Sequence, residues 1–188
     1  MEAGFGKTVR ANDEGVVRER VQSIAFHPDN IDIAIIILGA EVPLSEQVKT
    51  IDLPEVDSDY MGQTATLAGP GALGEGRDGP EELFHKVSLR VGTGQENTTT
   101  NTGGQGCPSE GSYGVCATSL RRDLWGSGCG GDSGSPLFVC SPTSLDACTL
   151  LALIIGPPPY GEQKCDKGDS SGPSVAALRP WINQVMEL

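Results

Sequence analysis

The chain lacks several features that mark other classes of protein. No apolar run approaches the roughly 18 residues that a membrane-spanning helix requires, and the longest run, residues 31–38, contains an aspartate. Positive charge is scarce, because 13 Lys and Arg stand against 25 Asp and Glu, for a formal net charge of −12. An acidic surface of this kind repels phosphate backbones. We therefore expect neither a nucleic-acid partner nor a membrane partner.

Metal-binding signals are also scarce. The 188 residues include only two histidines, His27 and His85, and six cysteines without any Cys-x-x-Cys spacing. Because structural zinc sites use closely spaced ligands, we expect no metal, and nothing in the sequence indicates a cofactor. Disulfides are the alternative, although six cysteines allow about 15 pairings. They indicate an oxidising compartment and a secreted protein, but residues 1–20 are charged and form no signal peptide, so any signal would lie outside this chain.

The most informative stretch is residues 129–137, Cys-Gly-Gly-Asp-Ser-Gly-Ser-Pro-Leu. Its glycines open backbone conformations that are closed to other residues, so Ser133 can present its hydroxyl while neighbouring N–H groups converge on one point. That arrangement is a nucleophile beside an oxyanion hole. The stretch resembles the Gly-Asp-Ser-Gly-Gly-Pro motif of the chymotrypsin/trypsin family of serine peptidases, with Ser135 in place of the last glycine.

The resemblance implies a role for each residue of the site. Ser133 would attack a peptide carbonyl carbon, and the backbone N–H groups of Gly131 and Ser133 would bind the developing oxyanion. Asp132 would pair with a new N-terminal ammonium after cleavage of a zymogen. Residues 31–38 resemble the family's Asp-Ile-Ala-Leu-Leu strand, which implies that Asp32 orients the catalytic base. A buried carboxylate at the head of an apolar strand is costly unless something pairs with it. The alternative is a strand-end aspartate that only caps the preceding turn.

The same resemblance assigns the substrate-binding residues. Ser127, six residues before the nucleophile, would lie at the base of the specificity pocket, where trypsin-like members carry an aspartate, and Gly128 follows it. The far wall corresponds to residues 154–156, ending in Gly156. Because a neutral base lined by small residues cannot pair with a buried cation, we predict cleavage after uncharged residues.

The fold implied by the resemblance is all-β. We predict a chymotrypsin-like double β-barrel in which residues 1–55 are the remnant of a partial first barrel and carry the catalytic aspartate. Residues 56–188 would form a complete second barrel with the nucleophile and the pocket, followed by a short C-terminal helix near Trp181. An incomplete barrel leaves strand edges open and apolar faces exposed, so we expect poor solubility of the isolated chain.

One disulfide is predicted from the strand pattern. The apolar runs 137–139 and 150–155 predict two strands that are joined by a polar connection. A cysteine lies at each end of that connection. We therefore expect a hairpin with a local Cys140–Cys148 disulfide.

Two further disulfides complete the set. Residues 92–112 contain almost no apolar side chain and are predicted to be a surface loop, which Cys107–Cys116 would close. By resemblance to the family, Cys129–Cys165 would tie together the two walls of the specificity pocket.

The family's general base is absent from the sequence. That base is a histidine in an Ala-Ala-His-Cys segment well before the aspartate, whereas only 31 residues precede Asp32. His27 matches the family's non-catalytic His-Pro turn, and His85 falls on a second-barrel strand without a matching motif. One explanation is an N-terminally truncated serine endopeptidase, which we favour because Asp32, Gly131 and Ser133 are all present. The other is a non-catalytic homologue that acts as a secreted binding or regulatory module.

Both explanations predict little or no turnover by this chain alone. As a serine endopeptidase domain it would act on a polypeptide substrate through an acyl-enzyme, and a protein inhibitor is a further expected partner. We expect the chain to be a monomer.

Overall fold

The computed structural model describes residues 1–7, 13–72, 85–92, 114–119, 128–155 and 169–187. The predicted all-β class with a short C-terminal helix is confirmed. In chain order the elements are β1 (Glu2–Phe5), β2 (Val17–Phe26), β3 (Ala34–Leu38), β4 (Thr64–Gly69), β5 (His85–Gly92), β6 (Gly114–Ser119), β7 (Pro136–Ser141), β8 (Ser144–Leu153), β9 (Asp169–Pro173) and α1 (Val175–Met186).

The first three strands form an antiparallel sheet in the order β1-β2-β3. Ile24 pairs with Ile36 across β2 and β3, and Phe26 pairs with Ala34. Directly paired residues of neighbouring strands point to the same face of a sheet. Because Phe26 is 75% exposed and Ile36 is 50% exposed, this face presents apolar side chains to solvent, as the sequence predicts for this part of the chain.

The other six strands form one antiparallel sheet in the order β8-β7-β4-β5-β6-β9. Its two edge strands approach each other, because the N–H of Ile155, just after β8, donates to the carbonyl of Ser171 in β9 at 3.1 Å. Gly172 permits this approach, since a Cβ there would overlap the carbonyl oxygen of Leu153. The sheet therefore curls round towards itself.

The inner face of the six-stranded sheet forms the main core. Leu67 of β4 pairs directly with Leu137 of β7, and Leu89 lies on β5. All three are at most 1% exposed. Burial of each such side chain stabilises the fold by about 1.5–3 kcal/mol relative to exposure.

Helix α1 follows β9 and joins the two sheets. The side chain of Ser174 caps the helix by accepting a hydrogen bond from the N–H of Ala177 at 3.3 Å. Among the described residues, no helix is long and apolar enough to cross a membrane. The helix contributes its buried residues to a second cluster that also holds residues near β3 and on β8: Val175, Leu178, Ile182, Ile31, Ile33, Ile35 and Leu150.

The hairpin of β7 and β8 contains the predicted Cys140–Cys148 disulfide. The two cysteines are paired across the strands, and β8 already begins at Ser144, so the hairpin extends further than the apolar runs alone predict. Cys116 and Cys129 are also disulfide-bonded. Their predicted partners, Cys107 and Cys165, lie outside the described residues.

Candidate active site

The predicted nucleophile lies in a tight turn, residues 129–135, which we call the nucleophile turn. Two backbone hydrogen bonds close it: the N–H of Asp132 donates to the carbonyl of Cys129 at 3.0 Å, and that of Ser135 donates to the carbonyl of Asp132 at 2.9 Å. Gly131 and Gly134 have φ angles of +94° and +86°, which glycine adopts without the steric cost of a side chain. The glycines therefore make the turn possible.

The nucleophile turn is attached to the end of β8. The N–H of Gly134 donates to the carbonyl of Ile154 at 2.6 Å, and the N–H of Ile154 donates to the carbonyl of Ser135 at 2.9 Å. Ile154 is itself 1% exposed and belongs to the main core. The turn is thus held against a rigid element, which is what a reactive group needs in order to keep its geometry.

The surface of the turn offers two backbone donors and one hydroxyl. Gly131 and Ser133 are both exposed. Within the described part of the chain, the N–H groups of these two residues donate to no protein acceptor, and the Ser133 hydroxyl makes no hydrogen bond. Two free N–H groups flanking an exposed hydroxyl can hold an oxyanion while that hydroxyl attacks a carbonyl carbon.

Asp132 points the opposite way, into the interior. It is 1% exposed, and its Oδ1 accepts from the N–H of Gly71 while its Oδ2 accepts from the N–H of Cys129, each at 2.8 Å. Its partners in the described residues are therefore two backbone amides. Its pairing with an ammonium after zymogen cleavage stays a prediction.

Asp32 is exposed and lies just before β3. Its neighbours Ile31 and Ile33 pack against the helix cluster, so the backbone at Asp32 is anchored while its side chain meets solvent. The same helix follows β9, and an isolated bridge joins Ser174 to Ala152 of β8. The elements that carry Asp32 and the nucleophile turn therefore share packing partners. That the Asp32 carboxylate and the Ser133 hydroxyl face each other stays a prediction.

The two histidines lie in different parts of the fold. His27 is buried, its Nδ1 accepts from the N–H of Asp29 at 3.2 Å, and its ring meets the Trp181 ring edge-on at a centroid distance of 4.9 Å. These contacts attach the turn after β2 to helix α1. His85 begins β5 and pairs with Gly69 of β4. The described contacts of His27 are those of a packing residue.

With this geometry in place, comparison with known proteins identifies the family. The family model described as trypsin matches residues 1–182. The chain belongs to the trypsin family. No curated protein sequence matches the chain.

Solved structures show the fold that goes with the trypsin family. An atomic-resolution structure of HBP is 19% identical with a TM-score of 0.75, and the match covers 100% of this chain and 76% of that one. Human heparin binding protein is 20% identical with a TM-score of 0.75, and the match covers 99% of this chain and 75% of that one. A mutant of human heparin binding protein (CAP37) is 20% identical with a TM-score of 0.75, and the match covers 99% of this chain and 76% of that one. At these identities the likeness establishes the fold, and the predicted chymotrypsin-like fold is confirmed.

Of the three residues predicted to bind substrate, the structure describes Gly128, whereas Ser127 and Gly156 lie outside the described residues. Gly128 is buried, and its N–H donates to Ser170 Oγ at 2.8 Å. A Cβ at Gly128 would lie 3.2 Å from Leu67 Cδ2 and 3.4 Å from Ser170 Oγ, so the space around its Cα is filled. Within the described part of the chain, no cluster of His, Cys, Asp or Glu could hold a metal ion.

Sequence reasoning gave no role in the candidate site to three residues that contact it. Ser170, 1% exposed on β9, holds Gly128. Gly69 and Gly71 surround the Asp132 carboxylate. The only signal in the sequence is the Gly69-Pro70-Gly71 spacing, since paired glycines can mark a close approach of backbone to another group.

Proposed function

We propose that the nucleophile turn and Asp32 form the acyl-transfer site of a serine endopeptidase that cleaves after uncharged residues. The Ser133 hydroxyl oxygen bonds to the peptide carbonyl carbon, its proton passes to an imidazole base, and that base then protonates the leaving amine. Water hydrolyses the acyl-enzyme and restores the serine. The N–H groups of Gly131 and Ser133 stabilise the oxyanion in both steps, and loss of one such donor costs about 3–4 kcal/mol in comparable sites.

One observation carries the proposal. Ser133 is exposed on the nucleophile turn, where its own N–H and that of Gly131 have no protein acceptor in the described residues. Because both residues are exposed, water satisfies these donors until the oxygen of a ligand replaces it. Their position on either side of Asp132, next to an exposed hydroxyl, suits a carbonyl oxygen that gains negative charge.

The preference for uncharged residues has support at Gly128. The atoms nearest to a Cβ built on Gly128 belong to the side chains of Leu67, Ser170 and Ile154, and none of these side chains carries a charge. A substrate Arg or Lys buried beside such residues would lack a counter-ion, which is strongly unfavourable. We therefore expect small or apolar side chains in the pocket.

We also expect this chain alone to show little or no peptidase turnover. Ser133 needs a base, and the described contacts of His27 attach it to Trp181 and Asp29. That packing favours a second candidate function, in which the same surface binds a polypeptide without cleaving it. The structural neighbours are named for binding heparin. Heparin is a poor ligand for this chain, because a net charge of −12 repels a polyanion.

Labelling with a fluorescent fluorophosphonate, with free imidazole added as the base, tests the proposal. Without imidazole, we expect the unmodified chain to be labelled no more than its Ser133→Ala variant. Added imidazole should raise the labelling of the unmodified chain and leave that of Ser133→Ala unchanged. His27→Ala should respond to imidazole as the unmodified chain does. Labelling that stays at the Ser133→Ala level at every imidazole concentration would favour the binding module. Strong labelling without imidazole that His27→Ala abolishes would make His27 the base.

A further inference from the structure

Strand β3 lies at one side of the first sheet and pairs with β2. Just before β3, the carbonyl of Ile33 accepts from the N–H of His27 at 3.4 Å, and just after it the N–H of Gly39 donates to the carbonyl of Arg20 at 2.8 Å. Positions that are hydrogen-bonded to a given neighbour alternate along an antiparallel strand. The N–H and C=O groups of three residues of β3 therefore point away from β2: Ala34, Ile36 and Leu38.

The side of β3 that faces away from β2, which we call the open edge, pairs with no other strand in the described part of the chain. A row of unpaired N–H and C=O groups is a template for another extended chain. The side chains beside it also suit such a chain, because Ile36 is 50% exposed and lies on the same face as Phe26, which is 75% exposed. Strand β3 contains neither a charge nor a proline, the residues that commonly protect an edge.

The charges at the ends of the open edge indicate what kind of chain can bind there. Asp32 lies two residues before Ala34, Glu41 lies three residues after Leu38, and both are exposed. Neither carboxylate is in an ion pair within the described residues. The cation beside one end, Arg20, lies on β2, one strand further from the edge. The open edge therefore suits an extended segment with basic ends.

A second copy of this chain suits the open edge poorly. Each copy would bring a net charge of −12. Antiparallel pairing of two β3 strands about Ile36 would also set Asp32 of one copy opposite Ala40 of the other, beside Glu41. Like charges this close on neighbouring strands are destabilising. The charges therefore favour a basic partner over a second acidic copy.

We propose that the open edge of β3 binds an extended, basic polypeptide segment by strand addition. Backbone hydrogen bonds along the edge hold the segment, and apolar side chains at alternate positions continue the face of Phe26 and Ile36. Lysine or arginine at its ends pairs with Asp32 and Glu41. The nucleophile turn belongs to the other sheet, so this binding does not rest on the proposed function, and Asp32 is the one residue that the two proposals share.

The probe that tests the proposal is the peptide acetyl-Lys-Thr-Val-Thr-Val-Thr-Lys-amide, titrated into the chain and followed by ¹H–¹⁵N NMR. We expect the amide resonances of Ala34, Ile36 and Leu38 to shift more than those of Ile35 and Ile37, whose N–H groups point to β2. The same peptide with glutamate in place of both lysines should bind about tenfold more weakly. Equal shifts along β3, equal affinities of the two peptides, or shifts confined to the nucleophile turn would overturn the proposal.

Two variants at the centre of the open edge complete the test. Ile36→Pro removes an N–H that takes no part in pairing with β2, so we expect an unchanged far-UV circular dichroism spectrum and binding that is weaker by about tenfold or more. Ile36→Thr is the matched control, because it keeps the N–H and a β-branched side chain, and it should bind within about threefold of the unmodified chain. Binding to Ile36→Pro that is as tight as to the unmodified chain would overturn the proposal.

Two further measurements keep the test decisive. Should Ile36→Pro fail to fold, the alternation of amide shifts in the unmodified chain gives the same answer. Sedimentation equilibrium of the chain without the peptide should show a monomer. A dimer that Ile36→Pro dissociates would assign the open edge to a second copy and overturn the proposal. None of these readouts requires turnover, so their result is independent of fluorophosphonate labelling.

Discussion

His27 offers a prediction that separates packing from catalysis. Replacing it with alanine removes the acceptor for the N–H of Asp29, at 3.2 Å, and the edge contact with Trp181, at 4.9 Å. A hydrogen bond contributes about 0.5–1.5 kcal/mol net and an aromatic pair about 0.5–1.5 kcal/mol. We therefore expect His27→Ala to lower the free energy of unfolding by about 2 kcal/mol, or the melting temperature by about 4–8 °C.

Two matched variants separate the contribution of the hydrogen bond from that of the ring contact. His27→Asn keeps an oxygen that can accept from the N–H two residues later, as asparagine does in turns, and loses the ring contact. His27→Phe keeps a ring beside Trp181 and loses the acceptor. Each should lose about half as much as alanine in urea unfolding followed by far-UV circular dichroism. A His27→Ala variant as stable as the unmodified chain would refute the packing role.

Three further predictions concern the rest of the fold. Ser170→Ala should leave the buried N–H of Gly128 unpaired and cost about 1–3 kcal/mol in urea unfolding, so a loss near zero would contradict the contact. Replacing Cys140 and Cys148 together by alanine opens a loop with a sequence separation of 8 and should cost about 2.5 kcal/mol, measured against the parent under non-reducing conditions. Phe26→Ser should change stability by no more than about 0.5 kcal/mol but reduce binding of a hydrophobic dye, because that side chain is 75% exposed.

The strands with strong apolar patterns are predictable from the sequence. The run 137–139 lies within β7, the run 31–38 contains all of β3 from Ala34, and the run 150–155 overlaps β8 as far as Leu153. The extension of β8 back to Ser144 is not predictable in this way, because polar residues there pair with β7 across a disulfide. Strand β1 also lacks an apolar signal and forms by pairing with β2, a non-local stabilisation that overrides local propensity.

The candidate site likewise has one part that is predictable from the sequence and one part that is not. The motif around Ser133 is local, and its glycines and exposed serine could be predicted because neighbouring residues set the turn. The contact of Gly71 with Asp132 spans 61 residues, and that of Ser170 with Gly128 spans 42. No periodicity or short motif encodes such distances. These contacts become visible only when the curled sheet brings β4 and β9 beside the nucleophile turn.

The rate of Ser133 phosphonylation in added imidazole, with the modified residue located by mass spectrometry, tests the account most directly. If the Asp32 carboxylate orients an imidazole against the Ser133 hydroxyl, Asp32→Asn should slow that rate by about tenfold or more at equal imidazole. The folded content of the variant should match the parent, because Asp32 is exposed. Equal rates in the two proteins, or a phosphonate located on another residue, would contradict the pairing of Asp32 with Ser133.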